Sequence, residues 1–235
     1  MNSGYTDHFS GYSAAEAEPE VRAAFIRKTY LHLAGAILAF VVLEFFLVNS
    51  PIAEPVTRAL LSSRWTWFIV LGAFMGVSML ANWWANSQTS SAMQYLGLGL
   101  YVVAEAIIFL PLLYIANWYF PGAILSAGVM TVLLFLTLTM TVFVTRKDFS
   151  FLGPILMISG FVALGVIVLS IMFGFSLGII FPAIMVLFAA GSILYNTSNV
   201  LHQYNPNQHV AASLSLFASV ALLFWYILQI VMSRR

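Results

Sequence analysis

Two glutamates lie inside long apolar stretches of the sequence and are the first candidates for chemistry. Glu105 is the twelfth residue of a 23-residue apolar run, and Glu44 is the sixteenth residue of a 20-residue run. An unpaired carboxylate in apolar surroundings is costly, so it usually faces a cavity or a partner. Glu105 therefore has two interpretations, an ion or proton path and a protonated, hydrogen-bonded structural group. Glu44 lies nearer a helix end and is expected to reach an interface.

A second group of polar side chains surrounds the junction between the last two apolar runs. On a helix, residues at spacings of three and four share one face. Two sets follow this spacing on successive predicted helices, namely Ser192, Asn196, Asn199 and Gln203, and then Ser215 and Ser219. The spacing predicts that two polar stripes meet. They either line an ion path or hold the two helices together through hydrogen bonds.

A short charged segment follows the fourth apolar run and consists of Arg146, Lys147 and Asp148. Acidic side chains stabilise the N-terminal end of a helix. We therefore expect Asp148 to lie near the start of the next helix, within a capping and interface cluster formed by the three residues. The alternative is a direct role of this cluster in transport.

Seven apolar runs carry or flank these residues. Each is near the roughly 20 residues that a helix needs to cross about 30 Å of hydrocarbon. The runs are continuously apolar, which excludes the alternating strands of a membrane β-barrel. They cover residues 29–48, 67–85, 94–116, 121–144, 153–173, 176–201 and 210–232. The sequence predicts an all-α integral membrane protein, with a disordered tail over 1–28 and one membrane domain over 29–235.

The composition supports a membrane protein and excludes several classes of function. Of the 235 residues, 62% are hydrophobic and 7% are charged, whereas soluble domains carry about 25% charged residues. A net charge of +1 without a basic cluster excludes nucleic acid as a partner, because phosphate binding needs clustered lysine and arginine. The chain lacks cysteine and the GxSxG and HExxH motifs. We therefore expect a protein that is not an enzyme and that holds no cofactor.

A GxxxG motif in the second run is formed by Gly72 and Gly76. This motif allows two membrane helices to approach closely, and it is also frequent in ordinary packing of glycine-rich membrane helices. Both interpretations stay open at the level of the sequence.

Two segments of the chain carry a family resemblance. Residues 143–153, FVTRKDFSFLG, resemble the loop between the fourth and fifth helices of the Bax inhibitor-1 family. Residues 193–231 resemble the closing segment of that family, in which a Leu-Tyr-Asp-Thr motif ends the sixth helix and Phe-x-Tyr-Ile-Leu ends the seventh. The resemblance extends from about Phe25 to Met232 with its spacing intact.

The resemblance implies both a fold and a function. Six helices are expected to form two inverted three-helix layers around a central seventh helix. Members of the family are linked to a pH-sensitive leak of calcium, eukaryotic relatives to suppression of cell death, and some bacterial relatives to a membrane-bound protease. The protein is expected to contact the lipid bilayer. Two further partners stay open, namely calcium or monovalent cations, and another membrane protein.

The sequence departs from the family at two positions that the resemblance links to gating. Ion-leak members carry an aspartate in the Leu-Tyr-Asp-Thr motif and another in the middle of the seventh helix, where this chain has Asn196 and Ser219. Neighbouring carboxylates share a proton and thereby sense pH, whereas an amide and a hydroxyl do not. We expect either a cation leak that pH does not control at this pair, or a non-conducting regulator of another membrane protein such as a membrane protease.

Basic residues indicate the orientation of the chain. Arg22, Arg27 and Lys28 precede the first apolar run, and basic residues near the first span favour the cytoplasmic side. We expect a cytoplasmic N-terminus and, after seven spans, a C-terminus on the far side. The resemblance to bacterial members predicts a multi-pass protein of the bacterial inner membrane.

Overall fold

The computed structural model describes residues 13–87 and 90–234. Over these residues the chain forms eight α-helices. They are α1 (Pro19–Val48), α2 (Ala53–Leu61), α3 (Arg64–Ala85), α4 (Ser91–Tyr119), α5 (Ala123–Thr145), α6 (Leu152–Phe173), α7 (Ile180–His202) and α8 (His209–Ser233). All except α2 are long and apolar enough to cross a membrane. The prediction of an all-α membrane protein with seven spans is confirmed.

The first helix begins earlier than the sequence analysis predicts. α1 starts at Pro19, and proline suits a first helical turn, where a missing N–H costs nothing. Phe25 is buried on this extension, and the guanidinium of Arg22 donates to the carbonyl oxygen of Leu201 on α7, so the extension packs against the other helices. Residues 19–28, which we predicted as part of a disordered tail, are therefore helical. Residues 1–12 of that tail lie outside the described residues.

The short helix α2 was not predicted. It packs against α3 and α4 through its buried residues Ala53 and Thr57, which lie one turn apart. Its charged side carries an ion pair between Arg58 and Glu54. Nine residues are too few to cross a bilayer, so a search for long apolar runs passes over such a helix.

The seventh span, α8, lies at the centre of the bundle. It packs against α1, α3, α4, α5 and α7, and leucines along its length are buried, among them Leu214, Leu223 and Leu228. A group of rings joins it to two neighbours. Phe40 of α1 packs edge to face on Phe109 of α4 and on Phe217 of α8, with centroid distances of 5.1 and 6.0 Å. The central position predicted for this helix is confirmed, while the inverted relation of the two layers stays a prediction.

The outer surface of the bundle is apolar, as a lipid solvent requires. In α6, all of whose residues are described, no residue is buried, and Phe161 is 70% exposed. A soluble protein rarely presents such a continuous apolar surface to water. The helices therefore turn apolar side chains toward lipid, and exposed hydroxyls such as those of Thr137 and Thr141 bond to carbonyl oxygens of their own helix.

α3 and α4 approach closely at Gly97. A Cβ atom at this position would lie 2.5 Å from the carbonyl oxygen of Ala81 and 2.7 Å from the backbone nitrogen of Ala85. At Gly72 and Gly76, by contrast, a Cβ atom would meet none of the described atoms within 4 Å. The GxxxG motif therefore makes no close helix contact with residues 13–87 or 90–234, and the close contact between α3 and α4 depends on Gly97 instead.

We expect Gly97→Ala to lower the free energy of unfolding by about 1–3 kcal/mol, because the new methyl group would meet backbone atoms that cannot turn away. Thermal unfolding in detergent, followed by circular dichroism, measures the effect. The matched control is Gly72→Ala, which we expect to be neutral or stabilising, since alanine favours helices over glycine by about 1 kcal/mol. Equal midpoints for the two variants would show that the helices are not in close contact at Gly97.

Candidate functional site

A cavity of about 830 Å³ lies between α3, α4, α6, α7 and α8. Its lining runs from Trp67 to Asn82 along α3 and from Leu214 to Gln229 along α8. Each of these stretches covers about 22 Å at the helical rise, and the hydrocarbon of a bilayer is about 30 Å thick. Gly178, in the turn between α6 and α7, also lines the cavity. The cavity thus extends through most of the depth of the membrane.

Glu105 lies in the wall of this cavity. The side chain of Glu105 is 6% exposed, and the hydroxyl of Tyr101, one turn earlier on α4, interacts with its carboxyl group. Over the described part of the chain, the lining contains no lysine, no arginine and no second carboxylate. An ionised Glu105 would therefore give the cavity a negative potential without a basic residue to neutralise it.

Asn196 and Ser219 form a hydrogen-bonded bridge between α7 and α8. The Nδ2 of Asn196 donates to the Oγ of Ser219 at 2.9 Å and to the carbonyl oxygen of Ser215 at 3.3 Å. The hydroxyl of Ser219 donates in turn to the same carbonyl oxygen at 3.0 Å. All three residues line the cavity. The two polar stripes therefore meet, and the groups that join them are neutral.

Two other candidates lie outside the cavity. Asn199 is buried, and its Oδ1 has no hydrogen-bond partner among the described residues. Glu44 is 5% exposed, and neither of its carboxyl oxygens has such a partner. The expectation that Glu44 reaches an interface is wrong. It lies on the buried stripe of α1 one turn from Phe40 and from Val48, so helical periodicity outweighs its closeness to the helix end.

The cluster Arg146, Lys147 and Asp148 lies in the loop between α5 and α6. Asp148 accepts hydrogen bonds from the backbone N–H of Ser150 at 2.8 Å, from its hydroxyl at 3.1 Å, and from the hydroxyl of Ser198 at 3.2 Å. Donation by the N–H of Ser150 is the main reason why the pKa of Asp148 lies below its ordinary value. The carboxylate therefore stays ionised through neutral and mildly acidic pH.

Ser198 of α7 connects this loop to the bundle and was missed in the sequence analysis. Its Oγ accepts the backbone N–H of Phe149 at 2.9 Å and donates to Asp148. Ser198 lies 50 positions from Asp148, so no local spacing connects the two residues. The loop is thereby held against the end of α7, on the side of the bundle where α8 begins.

Several polar residues of the cavity wall also escaped the sequence analysis. Asn82, Ser170 and Gln229 line the cavity from α3, α6 and α8. None of the three belongs to the two polar stripes around the junction of the last two apolar runs, so the spacing argument did not select them. The signal that remains is the rarity of polar side chains inside such runs.

The whole membrane domain of this chain matches the model of a known protein family. The model of the family described as "Inhibitor of apoptosis-promoting Bax1" matches residues 22–235. The chain belongs to the Bax inhibitor-1 family. The match includes the α5–α6 loop, the α7–α8 bridge and every helix from α2 onward, so membership concerns the whole membrane domain.

Individual relatives include plant and bacterial proteins. The chain is similar to LIFEGUARD 4 of Arabidopsis thaliana, with 30% identity over 93% of this chain and 88% of that protein. It is 36% identical to the "Modulator of FtsH protease YccA" of Escherichia coli, over 43% of this chain and 46% of that protein. It is 40% identical to PA2604 of Pseudomonas aeruginosa, and the alignment spans about half of that relative, 49% of its length.

We expect Ser198→Ala to loosen the α5–α6 loop, because the variant loses the acceptor for Phe149 and one donor to Asp148. The loss of one such bond costs about 1 kcal/mol. Trypsin cleavage after Arg146 and Lys147, timed in detergent, measures the change and should be several-fold faster. Thr141→Ala is the control, since its hydroxyl bonds only within α5. Cleavage at the same rate in both variants would contradict the role of Ser198.

Proposed function

We propose that the protein conducts cations across the membrane through the cavity lined by Glu105, as a leak that pH does not gate at Asn196 and Ser219. The observation that supports this proposal is a cavity of about 830 Å³ that reaches through most of the bundle and has one carboxylate and no basic residue in its described lining. We place the protein in the bacterial inner membrane, with its N-terminus in the cytoplasm.

The charge of the cavity favours cations over anions. A carboxylate in a low-dielectric wall attracts cations strongly, because little water is present to screen it. Calcium prefers several oxygen ligands with carboxylate charge. Glu105 supplies one such ligand, and the hydroxyl groups of Tyr101 and Ser219 supply neutral oxygens along the same wall. One carboxylate and two hydroxyl oxygens suit weak, transient coordination of calcium better than tight binding.

In this chain, the hydrogen-bonded bridge between Asn196 and Ser219 stands where ion-leak members of the family carry the aspartate pair that is linked to gating. Hydrogen bonds between membrane helices contribute about 0.6 kcal/mol each on average, which is close to thermal energy. Such a bridge can open and close without gaining or losing a proton. A basal leak that follows thermal opening is therefore the expected behaviour.

A second candidate function is regulation of a membrane protease. The relative from Escherichia coli is named as a modulator of the FtsH protease, and the loss of the acidic pair agrees with a protein that need not conduct. In this alternative, the protein binds another membrane protein through its N-terminal segment or its lipid-facing helices. The cavity would then be incidental to function.

We expect Glu105→Gln to lower the calcium flux into proteoliposomes by about ten-fold or more, because the cavity loses the charge that concentrates cations. The matched control is Glu44→Gln, which removes a buried carboxyl group that does not line the cavity. It should conduct like the wild type. If both variants conduct like the wild type, Glu105 does not serve an ion path.

We expect the double variant Asn196→Asp with Ser219→Asp to acquire a pH-dependent flux, because two carboxylates at the distance of the present bridge would share a proton. Calcium and monovalent cation fluxes, measured from about pH 6 to about pH 8, should then change by about ten-fold or more. In the wild type, any pH dependence should disappear with Glu105→Gln. A steep pH response that survives Glu105→Gln would contradict the proposal.

Deletion of residues 2–12 separates the two candidate functions. It leaves intact the backbone hydrogen bond from the N–H of Ala14 to the carbonyl oxygen of Tyr204, and the bond from Arg22 to Leu201. We expect the ion flux of the deleted protein to match that of the wild type. Loss of an effect on protease activity in reconstituted membranes, with the flux absent in both proteins, would favour the regulator instead.

A further inference from the structure

An apolar groove of about 500 Å³ lies on the outer surface between α1 and α4, apart from the central cavity. Its volume is within the range of about 300–1,000 Å³ that is usual for sites of small molecules. Two glycines, Gly35 on α1 and Gly99 on α4, line the groove, and a Cβ atom at either position would meet no described atom within 4 Å. Glycine at these positions leaves space that most other side chains would fill.

One end of the groove is polar. His32 and Tyr95 line this end, with the Nε2 of His32 3.2 Å from the hydroxyl oxygen of Tyr95. The ring of His209 lies 4.9 Å from that of His32, and the charge of Lys28 acts on His209 as well. A lysine and two histidines therefore gather at this end, and Lys28 is exposed. Among the described residues, Lys28 forms no ion pair with a carboxylate.

The length of the groove corresponds to one leaflet of a bilayer. From His32 to Leu43 the lining runs along α1 for eleven positions, about 16 Å at the helical rise. Half of a hydrocarbon core of about 30 Å is about 15 Å. The polar end lies at the end of α1 where the basic residues are. Along α4 the lining ends at Val103, the tenth residue of the 23-residue run over 94–116, so on this helix the apolar end lies near the middle of the membrane, whereas on α1 the lining extends to Leu43, five residues before the helix ends.

We propose that this groove binds one anionic glycerophospholipid, with an acyl chain along Gly35 and Gly99 and the phosphate group at Lys28, His32 and His209. The apolar length matches one acyl chain within a leaflet, and the positive charge of Lys28 at the polar end is complementary to the charge of the headgroup. The Nδ1 of His32 lies 2.7 Å from the carbonyl oxygen of Lys28 and its Nε2 lies 3.2 Å from the hydroxyl of Tyr95, so these contacts fix the polar end at the interface, where tyrosine is frequent in membrane proteins. The bound lipid covers the space that the two glycines leave open, and this role is independent of ion conduction.

Native mass spectrometry of the purified full-length protein tests the proposal. The protein in detergent is titrated with phosphatidylglycerol and, separately, with phosphatidylcholine of the same acyl chains. We expect one phosphatidylglycerol to bind about five-fold more tightly than phosphatidylcholine, from the attraction of a basic side chain for an anionic headgroup. Equal affinity for the two lipids would overturn the proposal.

Leucine side chains placed in the groove test whether the lipid binds there, by comparison with a leucine placed elsewhere on the lipid-facing surface. We expect Gly35→Leu and Gly99→Leu each to weaken the binding of phosphatidylglycerol by about ten-fold or more, since each methylene that is displaced from an apolar site contributes about four-fold. The control is Gly165→Leu on α6, where the glycine is also exposed and a Cβ atom meets no described atom within 4 Å. Unchanged binding in the groove variants, or an equal loss in the control, would overturn the proposal.

Variants at the polar end keep the proposal testable if a leucine disturbs folding. Lys28→Gln and His32→Gln leave the apolar part of the groove intact, and they should reduce the preference for phosphatidylglycerol while the affinity for phosphatidylcholine stays the same. A preference that survives in the double variant would contradict the assignment of the headgroup. A dimer of the wild type that dissociates with Gly35→Leu would assign the groove to a second copy of the chain instead.

Discussion

The inability of lipid to form hydrogen bonds governs the arrangement of this protein. A polar group that faces acyl chains has no water to replace a missing partner. The threonines of α5 illustrate the local response, since Thr137, Thr141 and Thr145 each donate to the carbonyl oxygen four residues earlier. Some larger groups do the same, as Asn82 does with the carbonyl oxygen of Ser78, but the carboxyl group of Glu44 and the amide of Asn196 do not. They turn inward, and the bundle around α8 is arranged to receive them.

Buried polar side chains in the interior find partners in two different ways, either in another side chain or in a cavity. Asn196 and Ser219 bond to each other across α7 and α8, whereas Glu105 faces a cavity with room for water or ions. Glu44 receives neither, because it is buried without a hydrogen-bond partner among the described residues. An isolated ionised carboxylate in such surroundings is too costly to persist, so Glu44 is expected to be neutral. Glu44 and Glu105 are almost equally buried, at 5% and 6% exposed, so the cavity and the hydroxyl of Tyr101 beside Glu105 distinguish the two glutamates.

α4 separates two spaces of different character. One part of this helix, with Tyr101 and Glu105, lines the polar cavity, and another part, with Gly99 and Val103, lines the lipid-facing groove. Phe109 of α4 lines the cavity and packs edge to face on Phe40 of α1, the helix that lines the groove from its other side. Because aromatic rings pack tightly and move little, they keep the cavity and the groove apart.

The sequence by itself determined the environment, the number of spans and the family of this protein. Long apolar runs leave a helix as the conformation in which the backbone satisfies its own hydrogen bonds in lipid, so the seven spans follow from local composition. The spacing of Asn196 and Ser219 on their helices likewise indicated that the two polar stripes would meet. These properties depend on residues that are neighbours along the chain or on one helix face.

Only the tertiary structure decided which helix faces meet. The burial of Glu44, the close approach at Gly97 and the bond between Ser198 and Asp148 depend on how helices rotate and tilt against each other. The apolar runs carry little information on rotation, since a helix in lipid is apolar on most sides and has no single hydrophobic face. The cavity and the groove also depend on how the helices pack, because each is bounded by side chains from helices that are distant in the sequence.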